Sequence, residues 1–274
     1  MAIDTTIALN NGVDMPLFGL GVFQSQDGSE VINAIDWALD AGYRLIDTAA
    51  AYRNEEGVGR AIRNSSVPRD QIFVTTKVWN SYQREDRVLE AFDESLAKLG
   101  LDYVDLYLIH WPVAGKYKET WKHLESLVKT DRVRAIGVSN FLPHQLDDLM
   151  QDAEIVPAVN QVEFHPRLQQ PDLIAACQKY GIVPQAWSPI MKGRVLNIPE
   201  LVEIGARHGK TAVQITLKWM LQRNISAIPK SVKETRIREN GDLFDFMLTD
   251  DEIAQINQLD TGERIGPSPD TFTF

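Results

Sequence analysis

The feature that most constrains this chain is an alternation. Eight short apolar runs recur along it: LFGLGVF (17–23), RLIDTA (44–49), IFVTTKV (72–78), VDLYLIHW (104–111), VRAIGVSN (133–140), PAVNQVEF (157–164), IVPQAWS (182–188) and ISAIPKS (225–231). Each has the length and the Val, Ile and aromatic content of a buried strand. Between them lie segments whose apolar residues recur at helical spacing, such as 29–42, 84–100, 142–151 and 200–209. Gly42, Gly100, Gly181 and Gly209 each follow the last apolar turn of such a segment, where a helix end favours glycine. Strands alternating with helices run parallel through right-handed crossovers, which leaves an open sheet or a closed barrel.

The polar residues separate these two. Asp47, Lys77, His110, Asn140, Gln161, Ser188 and Lys230 each stand at or near the C-terminal end of an apolar run. In a closed barrel those ends converge on the face where active sites are built. Chemically diverse residues at seven of eight ends favour a single α/β domain over 1–274, a (β/α)8 TIM barrel. The segment TTIALNNGVDMP reads as a hairpin turning at Asn11-Gly12, placed to plug the barrel bottom. Two helices, 211–223 and 249–258, are expected outside the repeat, and no Pro- or Ser-rich linker divides the chain.

Composition narrows the function class. The N-terminus has no basic, apolar leader pattern, and no run approaches the roughly 18 apolar residues of a membrane span. Cys177 is the single cysteine and lies in the apolar LIAACQKYG, so a buried, inert thiol in a cytoplasmic protein is expected. A net charge of -10 argues against a nucleic-acid or anionic-membrane partner. The local exception is Lys230, Lys233, Arg236 and Arg238, with only Glu234 among them. Charge alone leaves a pocket for a small polyanion and a solvated helix face level.

Several motifs are excluded. HGKT at 208–211 ends like a phosphate-binding loop, but Ile204 stands where that loop needs glycine. No G-x-G-x-x-G occurs, so a Rossmann nucleotide site has no support. The five histidines have no zinc-ligand spacing, and no metal is expected.

Asp47, Tyr52, Lys77 and His110 make a coherent acid–base set. Tyrosine, with a pKa of about 10, is a poor acid at neutral pH, and a nearby ammonium lowers it. Lys77 is the candidate ammonium, Asp47 the carboxylate that keeps it charged, and His110 a group that orients an oxygen or shares the proton. Asp47, Lys77 and His110 have ordinary alternatives: a helix cap, a strand-end lysine, a core histidine. The spacing alone does not reveal the reaction.

GYRLIDTAAAYRNEEGVGRAI (42–62), VTTKVWN (74–80), LDYVDLYLIHWP (101–112), RAIGVSNF (134–141), AVNQVEFHP (158–166), AWSP (186–189) and IPKSVKETRIREN (228–240) resemble the aldo-keto reductases, in order and over nearly the whole chain. Within that family the resemblance is strongest to the bacterial 2,5-diketogluconate and glyoxal/methylglyoxal reductases. It implies a (β/α)8 barrel, usually monomeric, that reduces aldehydes, α-dicarbonyls or keto-sugars with NADPH and without a Rossmann domain. Tyr52 would be the general acid, Lys77 and Asp47 its tuning pair, and His110 the carbonyl-orienting residue. Ser139, Asn140 and Gln161 would hold the nicotinamide carboxamide, with Trp187 stacked on the ring where many members have tyrosine. Gly21, Val22, Phe23 and Asp47 would border the cofactor, and Ser188, Pro189, Ile190 and Met191 would follow its pyrophosphate. Lys230, Ser231, Val232 and Arg236 match the positions gripping the 2′-phosphate, with Glu239 and Asn240 near the adenine. Phe23, Tyr52, Trp79, His110 and Trp111, with the tail around Phe272, would line the substrate site. Leu45 and Arg53 depart from the family, which usually has histidine and glycine there. A cofactor-binding regulatory barrel has no use for the acid and its tuning pair. A phosphate-binding isomerase barrel would carry glycine-rich loops where WSPIMKGR and IPKSVKET stand.

Overall fold

The computed structural model describes residue 3 and residues 5–272. An antiparallel hairpin opens it, with β1 (Thr6–Ala8) against β2 (Asp14–Pro16). Eight strands then pair in parallel and in chain order: β3 (Leu20–Gly21), β4 (Leu45–Asp47), β5 (Phe73–Val78), β6 (Val104–Ile109), β7 (Val133–Ser139), β8 (Val159–Glu163), β9 (Val183–Trp187) and β10 (Ser226–Ala227). Each of the eight apolar runs holds one of them.

The outer strands of this sheet meet. Parallel bridges join Phe18 to Ala227 and Gly21 to Lys230. Across the seam, the amide of Ala227 donates to Leu17 O at 2.9 Å and that of Gly19 to Ala227 O at 3.0 Å. Glycine is required at this closure. A Cβ on Gly19 would lie 2.2 Å from Leu45 Cδ2, and one on Gly21 would lie 2.8 Å from Ile228 O.

The helices are α1 (Ser29–Asp40), α2 (Glu55–Asn64), α3 (Asn80–Arg84), α4 (Val88–Leu99), α5 (Tyr117–Val128), α6 (Pro143–Leu149), α7 (Pro171–Tyr180), α8 (Pro199–His208), α9 (Ala212–Gln222), α10 (Glu234–Gly241) and α11 (Asp250–Asn257). They surround the sheet, and α10 packs on α1, so the outer ring closes where the inner one does. Thr211 with Gln214 and Thr249 with Glu252 form capping boxes that start α9 and α11. No helix among the described residues is long and apolar enough to cross a membrane.

Two details differ from the sequence reading. The helix expected over 84–100 begins at Val88, because Asp86 takes a left-handed conformation that separates α3 from α4. The segment 211–223 forms a helix but does not stand outside the barrel. Every residue of α9 from Ala212 to Leu221 is buried, and the helix packs on β10, whereas α8 lies against α9 and α11. The two extra helices are therefore α8 and α11.

Alternation along the strands sorts side chains into two apolar clusters. Leu45, Phe73, Leu106, Leu108, Ala135, Val159 and Val183 meet inside the barrel with Leu9 and Met15 of the hairpin. Ile46, Val74, Tyr107, Ile109, Ile136, Val138, Val162 and Ala186 pack outward under the helices. The hairpin is clamped from below: Asn10 Nδ2 donates to Pro157 O and Asn11 Nδ2 to Arg134 O, each at 2.9 Å. With the bottom filled by apolar residues, the inward residues further along each strand form the upper layer. These are Asp47, Lys77, His110, Gln161 and Gln185, and there the polar chemistry gathers.

Candidate active site

The centre is a buried ion pair. Lys77 Nζ donates to Asp47 Oδ1 at 2.7 Å and to the Thr48 carbonyl at 2.8 Å, and it lies 3.4 Å from Tyr52 Oη. Both charged side chains are sealed from solvent. Burial pushes the Asp47 carboxyl up, opposed by the Lys77 charge and by the hydrogen bonds from Lys77 and Gln161. Burial pushes the Lys77 ammonium down, opposed mainly by Asp47. Such a pair holds its place only because its remaining hydrogen-bonding positions are satisfied.

Tyr52 corrects one expectation. Lys77 does not bring its hydroxyl into the neutral range: burial drives it well above the ordinary tyrosine value, and the Asp47 charge adds to the rise. Buried beside that carboxylate, the phenol stays protonated, which is the form that can give a proton. His110 is held well below the ordinary histidine range, by burial first and by Lys77 second. Its imidazole is therefore neutral near pH 7.

Local structure explains how Tyr52 reaches this centre. It ends a single 3-10 turn (Ala50–Tyr52), after which Arg53 takes a left-handed conformation at φ 57°. Asn54, fully buried, then accepts from Thr48 Oγ1 at 2.7 Å and donates to the carbonyls of Val22 and Ser25. Its amide thus ties the loop after β3 to the loop carrying Tyr52.

Around the tyrosine stands a ring of aromatics. Phe23 lies 5.0 Å from Tyr52 between ring centroids, His110 lies 5.6 Å from Tyr52, and Trp79 lies 5.1 Å from His110. Phe272 stacks on Trp111 at 4.0 Å and meets Trp79 edge-on at 6.3 Å. Phe23 is 54% exposed and marks the rim.

The other half of the barrel face, from β7 to β10, carries the remaining sequence candidates. Gln161 Nε2 donates to Asp47 Oδ2 at 2.6 Å and to Gln185 Oε1 at 2.7 Å. Ser139 Oγ donates to Gln161 O, and Asn140 Nδ2 donates to His110 O and Ser139 Oγ. Trp187 Nε1 donates to Asn140 Oδ1 at 2.8 Å, which fixes the plane of the indole. After β9 the backbone is left-handed at Ser188, Met191, Lys192 and Gly193, while Pro189 and Ile190 sit within the same turn. Beyond β10, Arg238 pairs with Glu234 at 2.9 Å. Among the described residues no carboxylate pairs with Lys230, Lys233 or Arg236. Lys230 Nζ instead reaches Gln24 O at 3.3 Å, across the closing seam beside Gly21 and Val22. Ser231 and Asn240 are buried, Val232 is half-buried and Glu239 is exposed.

Sequence reasoning missed Thr48, Asn54, Gln185 and Glu163. Asn54 stands just before α2, yet its side chain makes no cap there. Gln185 carried a usable signal, two residues beyond Val183 on the inward side of β9. The thiol of Cys177 is buried in α7 and its pKa is pushed up to about 12 by burial. Among the described residues no group of three His, Cys, Asp or Glu side chains could hold a metal ion.

A family model described as "Aldo/keto reductase family" matches residues 17–261. The chain is 51% identical over 273 residues to a glyoxal reductase of Bacillus subtilis, covering 100% of this chain and 99% of that one. It is 46% identical over 276 residues to methylglyoxal reductase DkgA of Escherichia coli, covering 99% of each. Among solved structures, an aldo-keto reductase of Bombyx mori in complex with NADP superposes with a TM-score of 0.91 at 39% identity, over 98% of this chain and 97% of that one.

Proposed function

This chain belongs to the aldo/keto reductase family, and on that premise we propose that it is an NADPH-dependent reductase of aldehydes, α-dicarbonyls such as glyoxal and methylglyoxal, or keto-sugars. The observation that carries the reading is the chain Asp47–Lys77–Tyr52, 2.7 and 3.4 Å in its two links, opening among aromatic rings beside a neutral His110. The likeness to reductases of glyoxal and methylglyoxal supports the substrate class.

The residues present fit the cofactor. The Nε2 group of Gln161 is committed to Asp47 and Gln185, which leaves its amide oxygen to accept from a carboxamide. Ser139 and Asn140 flank that position, and the fixed indole of Trp187 is a stacking surface. The turn at 188–193, left-handed at Ser188, Met191, Lys192 and Gly193, follows Trp187 directly and would run beside the pyrophosphate. The uncompensated Lys230 and Arg236, with Ser231, Val232, Glu239 and Asn240 beside them, suit the 2′-phosphate that distinguishes NADPH from NADH. NADPH, when bound, supplies the hydride.

The side chains supply the rest. The Tyr52 hydroxyl gives its proton to the carbonyl oxygen, and the charge left on the phenol faces the Lys77 ammonium. Asp47 and the Thr48 carbonyl fix that ammonium. His110, neutral, donates an N–H to the same oxygen and sets its approach. The aromatic walls select for size and flatness more than for identity. Buried Cys177 suits a reducing, cytoplasmic setting.

The test is NADPH consumption with methylglyoxal by the wild type and by Tyr52→Phe, alongside cofactor binding. Turnover should fall by about 10²-fold or more in the variant with binding retained. Equal turnover would remove Tyr52 as the acid, and cofactor binding without turnover on any carbonyl would favour a regulatory barrel.

A further inference from the structure

Glu163 ends β8 and its side chain is fully buried, two residues beyond Gln161 on the inward side of the strand. It is not part of the acid–base chain. Its Oε1 accepts from the amide of Ile265 at 2.6 Å, and the amide of Gly266 lies 3.2 and 3.1 Å from its two oxygens. The remaining positions are filled by His165 Nε2 at 3.1 Å and by Arg264 Nη1 at 3.6 Å. A buried carboxylate with this many donors is held in one orientation, and here three of the four, Arg264, Ile265 and Gly266, belong to the C-terminal tail.

That tail runs between the two halves of the site. Gly266 lies so close to Trp187 that a Cβ there would sit 2.4 Å from the indole Cη2. Six residues on, Phe272 covers Trp111 in the aromatic mouth. At its start, Glu263 pairs with Arg194 at 2.6 Å, in the turn that follows the left-handed segment after β9. Glu163 thus anchors the start of a strap that touches the indole ring at one end and closes the mouth at the other, where Asp270 also lies 3.4 Å from His144 Nε2.

We propose that Glu163 is a positioning residue that acts through residues 264–266, holding the tail against Trp187 and thereby seating Phe272 over the carbonyl pocket. The proposal rests on the reductase reading for its kinetic consequence, though not for its structural one. Glu163→Gln turns an amide N–H₂ toward backbone donors or leaves one of them unpaired, so the tail is released while the barrel below is untouched.

Two readouts test it. Hydrogen exchange over 264–272 should accelerate at least about tenfold in Glu163→Gln, whatever the activity, because the amides of Ile265 and Gly266 lose a charged acceptor and the residues beyond them lose their anchor. The KM for methylglyoxal should rise about tenfold while kcat stays within about threefold, the signature of lost ground-state and transition-state contacts in common. Truncation after Glu263 should raise KM similarly, and adding Glu163→Gln to it should do nothing more. Should Glu163→Gln fail to fold, Gly266→Ala forces the tail off Trp187 with Glu163 intact and must reproduce the KM shift. Unchanged exchange over the tail, an unchanged KM, or effects that multiply with truncation would each overturn the proposal. If no carbonyl is turned over by the wild type, the exchange result still decides the anchoring, and the failure belongs to the reductase reading alone.

Discussion

Two residues in the buried centre respond to charge in opposite ways. Asp47→Asn would leave the Lys77 ammonium sealed from water with no bonded carboxylate, since its other partners are the Thr48 carbonyl and the Tyr52 hydroxyl. Breaking a buried pair from one side costs about 3–5 kcal/mol. The variant should therefore melt well below the wild type, and what folds should turn over at least about a hundredfold more slowly. Intact turnover in a folded Asp47→Asn protein would take Asp47 out of the proton-transfer chain. His110 is held neutral, so the folded protein binds fewer protons than the unfolded chain once pH drops below about 6.5. The stability of that neutral imidazole is complete above this value. It is lost on acidification, by up to about 1.4 kcal/mol per pH unit, until the depressed folded value is reached. Urea unfolding at successive pH values should show a steeper acid decline for wild type than for His110→Gln, and equal slopes would contradict the buried, neutral assignment.

At the scale of elements, the closure between β3 and β10 depends on the absence of a side chain. Gly19→Ala would press a methyl group into Leu45, with the Leu45 carbonyl also 2.7 Å away, where backbone cannot step aside. The expected loss is about 1–3 kcal/mol or more, seen as a lower unfolding midpoint in denaturant; an unchanged midpoint would mean that the seam yields. The strands were legible as short apolar runs because both of their faces are buried, one inside the barrel and one under the helices, and Asp47, Lys77, His110 and Gln161 stood out as polar residues at or near the ends of those runs. The order of α8 and α9 was not legible, since both are amphipathic to some degree and only packing decides which touches the sheet. Asn54 and Glu163 escaped for a related reason. Among their partners are backbone carbonyls of Val22 and Ser25 and backbone amides of Ile265 and Gly266, which leave no trace in residue type. The direction of the Tyr52 shift escaped because burial sets it first and the Asp47 charge second, and both depend on how distant segments pack around the phenol.

For the molecule as a whole, charge is distributed unevenly. A net charge of -10 repels a polyphosphorylated cofactor at long range, while Lys230, Lys233 and Arg236 stand without acidic partners among the described residues. Attraction should therefore be local and screened by salt. Raising ionic strength should weaken NADPH binding more for wild type than for a Lys230→Met, Arg236→Met double variant. That variant should bind NADPH about 10–100-fold more weakly with little change for NADH. Equal losses for both cofactors would assign the cluster to something other than the 2′-phosphate.

The seam between the first and last strands also governs how such a chain can be made. Lys230 and Gln24 touch although 206 residues separate them. During synthesis β3 emerges early and waits for a partner that leaves the ribosome near the end. Until then both margins of the growing sheet carry unpaired amides and carbonyls, the surfaces on which nascent chains stick to one another. High contact order of this kind also slows the final step. The barrel is thus most vulnerable just before completion, and its yield in the cell depends on how long that open edge is sheltered.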